Sequence, residues 1–256
     1  MTLKITNTIP NFTLKLTKMK RIIIFVCFIF STFVGFGQGF MYGGIGYNAA
    51  FLKSEGLDYV INRYNETRPY LDETMPNPHF YDGLTFHFGG AANAFFWDFG
   101  FTYRSCVVSA TGVDASGTEQ QRDVKNKWNT FDVGLGVNLG NSDTKALMIG
   151  INTGLNSEKS LTRADTPEDI GIANFAKVNS QFKIGFEPFL QFIVATENGL
   201  GILFKPYYSW SPIKTDYTEL NAYINQYTYI NDPSPIEGVL KGFGLSIMLV
   251  GYGEDD

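Results

Sequence analysis

Apolar residues alternate with small or polar ones in eight separate stretches of this chain, and the connections between stretches run long, short, long, short. The stretches cover about 40–52, 79–89, 94–108, 121–139, 145–155, 177–196, 199–210 and 239–250. In the first, Met41, Gly43, Ile45, Tyr47, Ala49 and Phe51 share one face, while Tyr42, Gly44, Gly46, Asn48 and Ala50 share the other. The last sets Phe243, Leu245, Ile247 and Leu249 against Gly242, Gly244, Ser246 and Met248. Period-two alternation repeated this often predicts antiparallel strands.

The connections order the strands. Residues 89–93, 140–144 and 197–199 carry Gly and Asn, which accept the positive φ of tight turns. The other links, 53–78, 109–120, 156–176 and 211–238, are long. Tight turns at one end and long loops at the other predict an all-β fold. The expected form is an eight-stranded antiparallel up-and-down transmembrane β-barrel with short helices in its long loops. The same alternation could describe a lipocalin-like barrel with its apolar face inward. The polar face decides between them. It is mostly Gly, Asn, Thr and Ser, which suits a narrow interior and would make a poor water-exposed exterior. The Phe, Leu, Ile, Tyr and Trp face is therefore expected to meet lipid. Interface rings are expected at Phe40, Tyr42, Phe95 and Trp97 near the turns, and at Phe51, Phe80, Tyr208 and Trp210 near the loops.

Composition agrees with export. Aromatics reach 16% and charged residues only 18%, against an ordinary charged share of about 25%. Met19-Lys20-Arg21, the uncharged run Ile22 to Val34 and Gly35-Phe36-Gly37 read as a cleaved signal peptide, with translation starting at Met1 or Met19. The organisation expected is an extension and signal peptide over 1–37 and the barrel over 38–256. The leader holds Lys4, Lys15, Lys18, Lys20 and Arg21 and no acid, so losing it takes the net charge from −5 to about −10. Nucleic acid is excluded as a natural partner. Cys106 becomes the only cysteine, so no intramolecular disulfide can brace the fold.

Chemistry is sparse. Six charges fall on the inward face: Asp98, Arg104, Asp132, Lys183, Glu187 and Lys205. They are expected to form one neutral lumen network, because an isolated charge there costs several kcal/mol; an ion or proton path is the alternative. His87 points inward near the turns. His79 precedes the second strand, with Tyr81 and Asp82 close in sequence and Ser209 and Ser211 ending the seventh. No spacing joins these into a catalytic set, and two histidines without carboxylate spacing predict no metal and no cofactor. The loops hold more. Leu57, Val60, Ile61 and Tyr64 predict a helix over 55–65. Asp216 and Glu219 open a second, with Tyr217, Leu220, Tyr223, Ile224 and Tyr227 on one face. These helices are expected either to cover the barrel mouth or to present Tyr217, Tyr223, Tyr227 and Tyr229 as a sugar- or protein-binding surface. Segment 114–127 is expected to extend the third and fourth strands beyond the bilayer, and 156–176 to be a solvated loop.

The opening strand GFMYGGIGYN, the closing strand GFGLSIMLVGY and the leader end FGQ resemble the small outer-membrane barrel proteins of Bacteroidetes, PorT-like and related families. The resemblance implies insertion by the barrel-assembly machinery; Tyr252 followed by Gly253-Glu254-Asp255-Asp256 departs from the terminal aromatic usual there. The function expected is a non-enzymatic integral outer-membrane protein with a filled lumen and both termini periplasmic. It would act structurally, through its long loops on a protein or glycan partner, or as an accessory of an envelope assembly. Outer-membrane lipid is its expected surroundings. The alternative is a membrane-embedded hydrolase or acyltransferase acting on lipid or surface polymer.

Overall fold

The computed structural model describes residues 39–142, 144–226 and 232–254. The expected signal peptide, Tyr227 and Tyr229 lie outside the described residues. The strands are β1 Gly39–Lys53, β2 Leu71–Glu73, β3 Phe80–Ala92, β4 Phe95–Val113, β5 Glu119–Ser142, β6 Lys145–Asp165, β7 Ala176–Ala195, β8 Leu200–Trp210, β9 Thr215–Asp216, β10 Glu237–Gly238 and β11 Lys241–Glu254. Helices α1 Glu55–Glu66 and α2 Thr218–Ile224 lie in the first and last loops. Strands β1, β3 to β8 and β11 pair antiparallel in sequence order, and β1 pairs with β11 to close the ring. The expected eight-stranded barrel is what forms, and closure leaves the ring without an open edge.

At the turn end the chain reverses tightly. Asn93 takes φ 53° and Gly199 takes φ 76°, the left-handed conformation that Asn and Gly tolerate best. The other end is lopsided. Strands β4 to β7 run 19, 24, 21 and 20 residues, whereas β8 and β3 run 11 and 13. A tilted strand crosses a bilayer in about 9–11 residues, so one wall rises well beyond that need. Segment 114–127 does extend β4 and β5, leaving only a turn at 114–118. The solvated loop expected over 156–176 is wrong for its first half. There β6 continues through Asp165, paired with β5 as far as Gln121. Both faces of residues 156–165 are largely polar, Leu161 and Ala164 apart, so hydropathy does not separate a hydrated strand from a loop; the ladder to β5 does.

Side chains follow the expected faces. Ile45, Leu84, Phe131, Leu135, Leu155 and Leu249 stand exposed on the outside, the last at 70%. Asn48, Thr85, Asn152 and Ser246 are buried inside. Aromatic rings form an arc at the loop end of the band: Phe80 and Phe51 lie 5.2 Å apart, Tyr208 and Phe243 4.8 Å, and Phe186 and Trp210 6.0 Å. At the turn end Phe88, Trp97 and Phe99 make the outer cluster. Phe40 and Tyr42, expected in that outer girdle, instead point inward and are 1% exposed. They close the turn end of the lumen with Phe96, Phe189 and Tyr252. Even-numbered positions of β1 all face inward, and a large ring there fills the space that glycine leaves beside it.

The tall wall shelters a cap. The α1 stripe Leu57, Val60, Ile61 and Tyr64 is buried, as are Leu220 and Ile224 of α2. Arg68 joins the two helix ends, donating to Tyr64 O at 3.2 Å and to Ile224 O at 2.6 Å. A guanidinium suits both C-termini because it satisfies carbonyls that the helices leave unpaired and meets the negative end of each dipole.

Candidate functional site

All six inward charges are buried, but they do not form one continuous network. Nearest the turns, Asp98 Oδ1 accepts from the Tyr42 hydroxyl at 2.6 Å, and Asp98 Oδ2 is bonded to His87 Nδ1 at 2.9 Å and to the Lys205 ammonium. Asp132 Oδ1 accepts from Asn152 Nδ2 at 2.6 Å. Arg104 Nη2 donates to Glu187 Oε1 at 3.1 Å, and its guanidinium stands over the Tyr207 ring. Gly100 makes this layer possible. A Cβ there would stand 2.7 Å from Asp132 Oδ1 and closer still to the His87 ring.

Lys183 is the member that separates. It pairs with Glu158 Oε2 at 2.7 Å, higher in the lumen and against the Trp128 ring. Glu158 also accepts from Thr215 Oγ1 at 2.6 Å, the Tyr217 hydroxyl at 2.7 Å and Asn126 Nδ2 at 3.1 Å. This carboxylate therefore latches the last loop onto the inner wall. Sequence reasoning missed it because residue 158 fell in the supposed loop. The signal was present as a continued inward series, Asn156, Glu158, Ser160 and Thr162. Residue by residue, rings close the bottom of the lumen, ion pairs fill the middle and the cap closes the top.

The tyrosine surface is corrected in part. Tyr217 is fully buried with its hydroxyl on Glu158, so it offers nothing to a partner. Burial, reinforced by the Glu158 charge, pushes its hydroxyl pKa well above the ordinary phenol range. Tyr223, 42% exposed, is the described member that faces outward. The loop helix starts after Tyr217 rather than at Asp216, whose Oδ1 nevertheless accepts the Thr218 N–H at 2.8 Å.

His79 sits at the loop rim, but its partner is none of those near it in sequence. Its Nε2 is bonded to Asp58 of α1 at 2.9 Å and 3.1 Å from the two oxygens. Asp82 faces outward and accepts from the Tyr47 hydroxyl; Ser211 donates to Ile184 O, and Ser209 is buried. His87, Asp98 and Asp132 lie close enough to share a cation. The ammonium of Lys205 already occupies Asp98, and that donor set therefore reads as an internal ion pair.

No family model matches this chain, and no curated protein matches it. Solved structures similar to it include Ail, the attachment invasion locus protein of Yersinia pestis, at 12% identity over 85% of this chain and 98% of that one, with a TM-score of 0.39. The outer membrane protease OmpT from Escherichia coli aligns at 6% identity over 85% and 97%, with a TM-score of 0.41. OprG, an outer membrane protein of Pseudomonas aeruginosa, aligns at 13% over 85% and 96%, at 0.36. Likeness this low transfers neither activity nor partner to this chain.

Proposed function

We propose that this is an integral outer-membrane β-barrel protein without enzymatic activity, its lumen closed by its own side chains and its role carried by the cap on the tall wall. The observation that carries the reading is an inverted polarity. Leu249 and Phe243 are each 70% exposed on the outside of a closed ring, while Asp98, Arg104 and Lys205 inside are at most 2% exposed. At about 25 cal/mol per Å² such an exterior is costly in water, and hydrocarbon removes that cost. Among the described residues no helix is long and apolar enough to cross a membrane, so crossing would be by strands. The termini and tight turns would then face the periplasm and the cap the outside. Insertion by the barrel-assembly machinery and kinship with PorT-like barrels belong to the same proposal. Partners would be lipid around the band and a protein or glycan at the cap, or the other components of an envelope assembly.

The test is fractionation of the expressed full chain, followed by conductance across planar bilayers. Recovery with outer membranes and an absence of discrete conductance steps are expected; a protein free in the periplasm, or an open pore, refutes the proposal. The hydrolase or acyltransferase reading draws on the His79–Asp58 pair. Among the described residues no serine, threonine or cysteine is hydrogen-bonded to His79, which leaves that pair without a nucleophile. Loss of a measured esterase activity on His79→Ala would favour it.

A further inference from the structure

The cap and the tall wall enclose a cavity of about 210 Å³ between the inner face of β5, the ends of α1 and α2, and the segment leading into β2. At about 30 Å³ per water this holds roughly seven waters, the room one sugar ring takes. Arg122 and Arg68 supply positive charge to it, Tyr70 and Tyr223 stand 46% and 42% exposed at its edge, and Gln120 and Gln226 bring side-chain amides.

The two arginines differ. Arg68 spends its donors on Tyr64 O, Thr67 Oγ1, Asn225 Oδ1 and Ile224 O, and its guanidinium lies 3.9 Å over the Tyr64 ring. Arg122 donates to Thr162 Oγ1 at 3.5 Å, and no carboxylate among the described residues lies within ion-pair distance of it. Two neighbouring acids on the same strands are engaged elsewhere, Asp123 by Arg163 and Asp165 by the Thr166 N–H. The cavity therefore presents one guanidinium with donors to spare, and no acid lines it.

That donor set selects a ligand. A single available fork matches one carboxylate. A phosphate monoester carries close to two negative charges at neutral pH, of which one guanidinium offsets only one. An amino acid would leave its ammonium unpaired. Tyrosine rings offer apolar faces with polar tips, and glutamine amides suit hydroxyls. We propose that this cavity binds an acidic sugar unit, a pyranose carrying one carboxylate, with Arg122 on the carboxylate and Tyr70 and Tyr223 against the ring. The proposal rests on the cap being the working surface of a membrane-inserted barrel.

The experiment is calorimetric titration of the full chain in detergent micelles with glucuronate, glucose and inorganic phosphate, beside vesicle insertion of the same preparation. Glucuronate should bind at least about 10-fold more tightly than glucose. Arg122→Gln should abolish that preference, and Tyr223→Ala should weaken both sugars. Phosphate competing as well as glucuronate, equal binding of both sugars, or an unaltered preference in Arg122→Gln overturns the acidic-sugar site. A preparation that inserts into vesicles but binds no sugar refutes this inference alone; one that fails to insert refutes the membrane reading beneath it.

Discussion

Removing the Lys183 ammonium should damage the barrel more than removing the whole ion pair. Both Lys183 and Glu158 are 2% exposed, and Glu158 receives donors from four residues, of which only Lys183 is charged. Lys183→Met leaves a buried carboxylate with hydroxyl and amide donors but no counter-charge. Breaking a buried pair from one side costs about 3–5 kcal/mol, and the three remaining donors place this case near 3. Adding Glu158→Gln removes the orphaned charge, keeps a carbonyl acceptor for Tyr217 and Asn126 and turns an amide donor toward the Thr215 hydroxyl, which can accept it, so the double variant should recover most of that loss. The assay is urea unfolding in detergent micelles followed by tryptophan fluorescence. Trp128 is the buried tryptophan, 5.7 Å from the Lys183 ammonium, and so reports the layer directly. With a urea slope of roughly 2 kcal/mol per M, the single variant should lose about 1.5 M in midpoint. A coupling below about 0.5 kcal/mol in the full double-mutant cycle would refute the claim that this pair acts as a unit.

Further outcomes are specific to the other layers. Ile151→Arg, in the middle of the apolar band, should destabilise the membrane-inserted protein by about 2–4 kcal/mol, whereas Ile172→Arg, at an 82% exposed loop position, should leave the midpoint in vesicles unchanged; equal effects would argue against a lipid-facing band. Gly100→Val should cost about 1–3 kcal/mol through overpacking against Asp132 and His87, read as lost heat-modifiable migration on gels. Because burial holds Tyr217 protonated in the folded state, its contribution should be complete below the unfolded phenol pKa of about 10 and fall as pH rises above it. A Tyr217→Phe variant should flatten that alkaline limb, and a parental midpoint already falling between about pH 7 and 9 would contradict the assignment.

Glu158 shows where reading the chain by itself stops. Its neighbours Asn156, Ser160 and Thr162 continue the inward series, yet nothing along residues 156–165 separates a strand rising through water from a loop. Hydrophobic contrast exists only where one face meets an apolar medium, and the upper wall is polar on both sides. Tyr217 fails for a related reason. A tyrosine on a loop helix looks the same in sequence whether its hydroxyl meets solvent or a carboxylate on a strand 59 residues away. Phe40 and Tyr42 face inward because they share the parity of Asn48, Ala50 and Leu52 on β1, and aromatic content by itself carries no information on the face.

The chain alone determined the strand count, which residues face outward and which end carries the turns. These are local properties, set by period-two alternation and by Gly and Asn at the reversals. It also determined that charges such as Asp98 and Lys205 lie inside. Tertiary structure decided the pairings: Asp98 with Lys205 and His87, Lys183 with Glu158, and His79 with Asp58. It decided as well that Arg122 faces a cavity beneath Tyr223. Ring closure brings strands distant in sequence to a common height, and that height depends on register and tilt summed around the barrel, which no stretch of residues carries by itself.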